Sequence, residues 1–219
     1  MAFYGVSLKN NNEQLELARL IGQNDKMIIF CIGNAGTGKT FATLAASLQL
    51  KLEKRYDKII YTRNPIQLGE DMGFLPGDIS DKYNPFMGGL IDNLESIAKH
   101  SSMKPALGAL KSQIDMVPIA FLRGRSFENT LLIVDEAQNL DLTVLKTILT
   151  RVGQYSKVVL LGSMNQIDDS KQARKAKCDF QKVIEKLQDE PYVATIELTR
   201  SMRSPICVEL DKLLSEIKD

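Results

Sequence analysis

Residues 33–40 read GNAGTGKT, and this stretch decides the fold. It matches the pattern G-x-x-x-x-G-K-[ST] at every fixed position. An apolar run, KMIIFCI, precedes it at residues 26–32, and apolar residues recur at helical spacing over residues 41–52. A strand, a glycine-rich loop and a helix in this order predict a phosphate-binding loop.

The residue types of this loop fit the chemistry of a nucleotide with Mg²⁺. Glycines let backbone N–H groups converge on phosphate oxygens, and the helix N-terminus adds its positive end. Lys39 would reach the β- and γ-phosphates, and the Thr40 hydroxyl would bind Mg²⁺. A glycine-rich turn without a ligand explains less of the pattern. The predicted nucleotide-binding residues are Gly33, Asn34, Ala35, Gly36, Thr37, Gly38, Lys39 and Thr40.

A second apolar run, LLIV at residues 131–134, ends in two acids, Asp135 and Glu136. A buried strand that ends in an aspartate is what Mg²⁺ binding requires in such a protein. A carboxylate directly after it can orient and deprotonate the water that attacks the γ-phosphate, so Glu136 is the predicted catalytic base. The pair therefore favours ATP hydrolysis over phosphoryl transfer to a metabolite. The acids could also cap the following helix, which is compatible with this role.

Apolar runs alternate with helical patterns along the whole chain. Strands are predicted at residues 26–32, 57–62, 116–122, 131–134, 157–161 and 193–198, and helices at 41–52, 90–98, 142–152, 179–188 and 206–217. Near-continuous apolar strands that alternate with helices indicate an α/β fold, a parallel sheet with helices on both faces. Residues 64–89 lack a periodic pattern, and we expect either a functional loop or a surface excursion there.

The composition is typical of one soluble domain that spans residues 1–219. The formal net charge is +1, hydrophobic residues make up 44 % and charged residues 25 %, so no global charge attracts nucleic acid or a membrane. No apolar run approaches the ~20 residues of a membrane span, and the first twelve residues contain no signal sequence, so we expect a cytoplasmic protein. The chain has three cysteines, far apart in sequence, which argues against a zinc site and a disulfide framework. Its one histidine, His100, is expected on a surface loop, which argues against Ser-His-Asp chemistry.

Residues 135–139, DEAQN, resemble the DExQ box of superfamily 1 helicase-like ATPases. In that superfamily a glutamine after the next strand senses the γ-phosphate, which implies Gln166 as the sensor. Ser163 stands where an aspartate is usual. Gln14, upstream of the first long strand, resembles the glutamine that reads adenine in such proteins.

Four motifs in order make the chain similar to PhoH-family ATPases. They are TRNP at 62–65, GEDMGFLPGD at 69–78, RGRS at 123–126 and DEAQN at 135–139. The resemblance covers residues ~12–205 and implies a RecA-like P-loop ATPase. Asn64 interrupts the family's TRP triplet, and Gly162-Ser163 replaces Gly-Asp. Such departures and the short chain would suit a divergent, phage-encoded member, acting in the host cytoplasm, with no nuclease or second RecA-like domain.

The resemblance to helicase-like folds implies a nucleic-acid side near the loop after the second long strand. Arg63 would contact a backbone phosphate there, or form a salt bridge that orders the loop. Arg123 and Arg125 are expected near the ligand crevice, where they bind phosphate or pair with acids of the 64–89 segment. Four basic residues cluster within seven positions, and they form either a solvated helix face or an RNA-binding strip. They are Lys171, Arg174, Lys175 and Lys177.

Two arginines follow the last predicted strand. In ring ATPases an arginine at this point reaches the γ-phosphate of the neighbouring subunit. The PhoH family resembles such ring formers, which makes Arg203 the first candidate and Arg200 the second. The alternative is that both arginines simply flank the N-terminus of the next helix. We therefore expect a homo-oligomer, with a hexameric ring favoured.

Together these patterns predict a Mg²⁺-dependent ATPase, coupled to RNA or single-stranded DNA as a helicase-like ring. Two alternatives stay open. One is a small-molecule P-loop kinase, against which the Asp135-Glu136 pair argues. The other is a nucleotide-switched binding module with little turnover.

Overall fold

The computed structural model describes residues 2–8, 11–63, 88–122, 124, 126–164 and 171–215. The strands are β1 (Ala2–Phe3), β2 (Val6–Ser7), β3 (Ile28–Gly33), β4 (Lys58–Arg63), β5 (Ile114–Met116), β6 (Thr130–Asp135), β7 (Lys157–Gly162) and β8 (Val193–Leu198). The helices are α1 (Asn12–Gly22), α2 (Lys39–Leu52), α3 (Gly88–His100), α4 (Leu107–Lys111), α5 (Leu142–Leu149), α6 (Lys171–Leu187) and α7 (Pro205–Ser215).

Strands β3 to β8 form one parallel sheet in the order β5-β4-β6-β7-β3-β8, and β1 pairs with β2 as an antiparallel hairpin. Alternate side chains of β3 enter two different cores. Ile29 and Cys31 pack with α1, α2 and α3, whereas Ile28 and Phe30 pack with α5 and α6. A sheet covered on both faces needs apolar residues at every strand position. The predicted α/β architecture, RecA-like in form, is confirmed.

One predicted strand is wrong. Residues 116–122 were expected as a strand, but β5 is shorter and earlier, and residues 119–122 form a 3₁₀ helix. Pro118 explains the break, because proline lacks the N–H that a ladder needs and restricts the residue before it. His100 lies in the last turn of α3, not on a loop, although its side chain is exposed as expected.

The sequence patterns did not predict the β1–β2 hairpin or α1. Helix α1 begins after Asn11, whose side-chain oxygen accepts a hydrogen bond from the backbone N–H of Gln14 (3.1 Å). This is ordinary N-capping chemistry. Leu17, Ala18 and Ile21 then bury one face of α1 against α2 and β3.

The carboxyl ends of β3, β4, β6 and β7 meet at one edge of the sheet, where ligands bind in open α/β folds. The chain crosses from β3 over β7 and β6 to reach β4, whereas β8 lies on the other side of β3. The direction of the crossovers thus changes at β3, and a ligand crevice opens at such a point. No helix in the described part of the chain is long and apolar enough to cross a membrane.

Candidate active site

The loop between β3 and α2 curves around a point at the carboxyl edge of the sheet. Gly36 and Gly38 have φ angles of +77° and +81°, in the left-handed region that glycine adopts without strain. Thr37 closes the loop, because its hydroxyl donates to the carbonyl of Asn34 (2.9 Å). The N–H groups of the first turn of a helix have no partner within the helix. The start of α2 therefore presents donors suited to phosphate oxygens.

Lys39 is the first residue of α2, and its ammonium group lies inside the curve of the loop. Nζ donates to the carbonyls of Gly33 (2.6 Å) and Asn34 (3.0 Å). Burial lowers the pKa of Lys39, and nearby Arg203 lowers it further, while Asp135 and Glu136 act in the opposite sense. An anion placed in the loop would meet this charge directly.

Asp135 ends β6 and is 7 % exposed. Its Oδ2 accepts hydrogen bonds from the hydroxyls of Thr40 (3.3 Å) and Tyr61 (2.5 Å), and its Oδ1 accepts the backbone N–H of Glu136 (3.0 Å). Burial raises the pKa of Asp135, while the hydrogen bond from Tyr61 lowers it. The predicted pair of Thr40 and Asp135 is thus together in space, 95 residues apart in sequence.

The oxygen atoms of Thr40 and Asp135 fit a magnesium ion. Mg²⁺ prefers oxygen ligands, and it is commonly bound by one or two protein groups together with substrate phosphates and water. The described residues contain no cluster of three His, Cys, Asp or Glu side chains that could hold a metal. The two oxygens of Thr40 and Asp135 are the number of protein ligands that suits an ion shared with a nucleotide.

Glu136 follows Asp135 in the left-handed conformation, with φ +54° and ψ +42°. Its Oε2 accepts a hydrogen bond from Nε2 of Gln138 (2.6 Å), and its Oε1 lies 3.7 Å from Nη2 of Arg63. The capping role that the sequence left open belongs instead to Asp141, which accepts from the N–H of Val144 at the start of α5. The Glu136 side chain is 27 % exposed.

Gln138 connects Glu136 to the end of β7. Its Oε1 accepts the backbone N–H of Ser163 (3.0 Å). Because a backbone N–H can only donate, the Gln138 oxygen must face Ser163, and the amide nitrogen must then face Glu136. The motif contained this glutamine, but only the approach of β7 to β6 assigns it this bridge.

Strand β4 brings two side chains to the two acids. Tyr61 contacts Asp135 and Arg63 contacts Glu136, because β4 lies beside β6 in parallel register. Arg63 was expected at a nucleic-acid phosphate or in a salt bridge that orders the loop; in the structure its Nη2 lies 3.7 Å from the carboxylate of Glu136. The sequence analysis did not identify Tyr61 as a site residue. Its hydroxyl group within an otherwise apolar strand was the feature of the sequence that could have indicated it.

Gln14 lies against the predicted phosphate-binding loop. Its side chain is buried, and its Nε2 donates to the carbonyl of Thr37 (2.9 Å). A cavity of about 700 Å³ opens beside it and reaches Gly36 and Gly38. Leu8, Phe41, Met202 and one face of α3 line the same cavity.

Residues 199–203 are attached to the same chain's α1 and phosphate loop. Glu13 accepts hydrogen bonds from the Thr199 hydroxyl (2.6 Å) and from the N–H groups of Arg200 (3.1 Å) and Thr199 (2.8 Å). These bonds, above all the one from the hydroxyl, lower the pKa of Glu13. The Met202 N–H donates to the carbonyl of Gly36 (2.8 Å). Arg203 is exposed and packs directly on Gly36, where a Cβ would collide with it. Arg203 thus lies at the phosphate loop of its own chain.

The remaining candidates fall in different places. Gln166, Arg123, Arg125 and residues 64–87 lie outside the described residues. Lys171 begins α6, and Arg174 and Lys175 are exposed on it. This exposure agrees with a solvated basic face.

A phosphate loop, a strand-end aspartate and an adjacent glutamate at one edge of a parallel sheet define a P-loop NTPase. Two solved structures share the fold. One is a large terminase from a thermophilic bacteriophage, which is 10 % identical with a TM-score of 0.54; the match covers 94 % of this chain and 50 % of that chain. The other is the Sulfolobus solfataricus SWI2/SNF2 ATPase core in complex with dsDNA, which is 14 % identical with a TM-score of 0.50; the match covers 90 % of this chain and 46 % of that chain.

The family model described as PhoH-like protein matches residues 6–215, and the chain belongs to this family. Protein PhoH2 of Mycolicibacterium smegmatis is 37 % identical over 216 residues, which cover 98 % of this chain and 48 % of the relative. Protein PhoH of Escherichia coli K12 is 33 % identical over 202 residues, 91 % and 56 % of the two chains. This chain thus spans about half the length of these relatives.

Proposed function

We propose that the chain is a Mg²⁺-dependent ATPase whose hydrolysis is coupled to RNA or single-stranded DNA. One observation supports ATP hydrolysis: four side chains lie together at one edge of the sheet, those of Lys39, Thr40, Asp135 and Glu136. Within this group the Thr40 hydroxyl donates to Asp135 (3.3 Å). The nucleic-acid coupling rests on the resemblance of the motifs to helicase-like ATPases.

The residues divide the reaction between them. The phosphate loop and Lys39 bind the β- and γ-phosphates, and Thr40 and Asp135 would hold Mg²⁺, which supplies charge stabilisation to the phosphate oxygens. Glu136 orients a water and accepts its proton while the water oxygen bonds to the γ-phosphorus. The bond to the bridging oxygen breaks, and ADP and phosphate leave.

The cavity beside Gln14 is our proposed site for the nucleoside. It adjoins Gly36 and Gly38, on the α1 side of the loop rather than the Asp135 side. A volume of about 700 Å³ is sufficient for a base and a ribose. Phe41 and Met202 offer apolar contact to a base. Gln14 already donates to Thr37, so its amide oxygen is the atom that would face the base.

A steady-state phosphate-release assay with ATP and Mg²⁺ tests this function, with and without poly(U) or poly(dT). We expect slow basal hydrolysis that either polymer accelerates. Polymer binding should be weak because few phosphate contacts, such as Arg63 and the cluster at 171–177, carry it, and it should weaken further as salt is added because those contacts are electrostatic. Formation of ADP that requires an added small-molecule acceptor, with no release of free phosphate, would indicate the kinase. Tight ATP binding without release in any condition would indicate the switch module.

We also propose that the protein works as a homo-oligomer, in the form of a hexameric ring. Helix α7 supports this, because Ile206, Leu210 and Leu213 are all at least half exposed, and exposed apolar helix faces are typical of interfaces. A head-to-tail contact that repeats closes into a ring when the rotation allows. Arg203 or Arg200 would then face the next subunit's phosphates.

Light scattering with ATP and Mg²⁺ at micromolar protein tests the assembly, and Arg203→Ala tests the arginine. A trans arginine predicts that Arg203→Ala keeps ATP affinity and loses turnover, and that mixing it with Lys39→Ala protein partly restores activity at mixed interfaces. If Arg203 acts only on its own loop, mixing restores nothing. A monomer with undiminished turnover would contradict the ring.

A further inference from the structure

A second cavity, of about 470 Å³, lies at the amino edge of the sheet, at the other end of the strands from the phosphate loop. Residues at the starts of β3, β4 and β7 line it, among them Lys26, Arg55, Tyr56, Tyr155 and Lys157. We propose that this cavity binds a nucleoside monophosphate, with the phosphate group at Arg55 and Tyr56 and the base against the ring of Tyr155. This second site goes beyond the proposed ATPase and does not depend on it.

The charge around this cavity is positive. Lys26, Arg55 and Lys157 line it, and none of the described residues that line it is an Asp or a Glu, although Asp25 lies near Lys157. Burial first, and then the charge of Arg55, lowers the pKa of Lys157, so these two cations are close enough to repel each other. A bound anion would offset this repulsion, which makes a phosphate group a suitable ligand.

Capping of helix α1 accounts for only part of this charge. Lys157 donates to the carbonyls at the end of α1, so it supplies charge to the cavity and not a hydrogen bond. Arg55 uses Nη2 alone, which donates to the carbonyl of Gly22 (2.8 Å) and contacts the side chain of Asn24. Its Nε and Nη1 form no hydrogen bond with the described residues. A guanidinium group has five N–H donors, so Arg55 retains donors for a phosphate.

Tyr56 provides an independent indication of a ligand. Its side chain lines the cavity and the residue is 8 % exposed, yet its hydroxyl forms no hydrogen bond within the described part of the chain. Burial raises the pKa of Tyr56, so the group stays a neutral donor. Buried hydroxyls in folded proteins nearly always have a partner. A phosphate oxygen at Arg55, the neighbouring residue, would provide one.

Tyr155 supplies a surface for the base. The residue is 80 % exposed and also lines the cavity. Nucleic-acid bases stack on exposed aromatic side chains, and such stacking tolerates any base because each has a π-face. The volume of about 470 Å³ falls within the range of about 300–1,000 Å³ that is typical of small-ligand sites. The cavity therefore suits a single nucleotide.

The test uses Tyr155→Trp as a reporter, because the chain contains no tryptophan and the new indole would be its only one. AMP, adenosine and inorganic phosphate are titrated while the indole fluorescence is recorded. We expect AMP to quench the fluorescence by stacking, and adenosine to bind at least about tenfold more weakly because it lacks the charged group. Inorganic phosphate should displace AMP without quenching. Circular dichroism checks that each variant is folded.

Two variants in the reporter background test the phosphate contacts. Arg55→Gln should weaken AMP binding by about tenfold or more, the effect of a lost hydrogen bond to a charged group. Lys54→Gln is the matched control, since it removes the same charge at the adjacent exposed residue and should change little. Tyr56→Phe should also weaken AMP binding by about tenfold, yet leave the midpoint of urea denaturation unchanged, because its hydroxyl has no partner among the described residues to lose.

A reporter protein that AMP does not quench overturns the proposal, even if inorganic phosphate binds. Equal losses in Arg55→Gln and Lys54→Gln overturn it too, because they would indicate diffuse charge and not a site. AMP binding that neither Arg55→Gln nor Tyr56→Phe weakens would place the nucleotide elsewhere. Lys39→Ala in the reporter background separates this site from the phosphate loop: the AMP titration should stay the same, and its loss would mean that the indole senses binding at the loop.

Discussion

Two lysines, half-buried Lys39 and fully buried Lys157, lie at opposite ends of the sheet, and each donates to backbone carbonyls. Lys39 lies at the carboxyl end of β3 and contacts Gly33 and Asn34. Lys157 begins β7 at the other end, is 2 % exposed, and donates to the carbonyls of Ile21 (2.7 Å) and Gln23 at the end of α1. Burial lowers the pKa of both ammonium groups.

Their neighbours differ. Lys39 has two carboxylates near it, Asp135 and Glu136, and a large cavity on the other side of its loop. Lys157 has one carboxylate, Asp25, and the cation Arg55 near it, and Arg55 in turn donates to the carbonyl of Gly22 (2.8 Å). Both cations thus lie at the negative end of α1, where they are stabilising. Neither burial nor a nearby carboxylate marks a catalytic lysine; what distinguishes Lys39 is the glycine-rich loop around it and the strand-end pair Asp135 and Glu136.

The largest expected difference is in catalysis. We predict that Lys39→Ala abolishes hydrolysis and weakens ATP binding, because no neighbour replaces its charge at the β- and γ-phosphates. Lys157→Ala should keep the wild-type rate per folded molecule. Phosphate release and binding of a fluorescent nucleotide measure both. Equal losses of ATP binding in the two folded variants would remove the distinction between the lysines.

The acids beside the two lysines give the next contrast. Glu136→Gln should retain ATP and lose turnover by about 10²–10⁴-fold, since the amide keeps the shape but cannot accept a proton. Asp25 is the matched control, because it is the carboxylate near Lys157. Asp25→Asn should hydrolyse ATP at the wild-type rate. Full turnover in Glu136→Gln would exclude Glu136 as the base.

Stability should depend on Lys157 and not on an exposed lysine. Lys157→Met removes the donor from the carbonyls of Leu20, Ile21 and Gln23 at the end of α1, and we expect a loss of about 1–3 kcal/mol in the free energy of unfolding. Lys182→Met, at an exposed position of α6, should change it by less than about 0.5 kcal/mol. Urea denaturation measures both. A loss as small as the control's would mean that water replaces Lys157 at these carbonyls.

The last expected effect is a dependence of stability on pH. Burial lowers the pKa of Lys157 from 10.5 to about 8, so between these values the unfolded chain binds more protons at this residue. The free energy of unfolding contributed by Lys157 therefore rises with pH in this window, by at most about 1.4 kcal/mol per unit. The stability gap between wild type and Lys157→Met should widen from pH 7.5 to 9.5. A constant gap would mean an unshifted pKa.

The sequence determined the parts of this protein that depend on local pattern. The loop at 33–40, Lys39, Thr40 and the acids at 135–136 follow from spacing within single segments. The alternation of apolar runs and helices predicted the α/β class, and the resemblance to helicase-like proteins gave Arg63 and Gln14 as candidates. The errors were local too: Pro118 ends β5, and the cap at Asn11 begins α1.

The tertiary structure alone decided which side chains meet. Strand order places β4 beside β6, and this register brings Tyr61 to Asp135 and Arg63 to Glu136. The approach of β7 joins Ser163 to Gln138, and the packing of α1 brings Gln14 to Thr37. No single segment records such pairings, because parallel strands are joined through long crossovers and their neighbours are chosen by packing of the whole sheet.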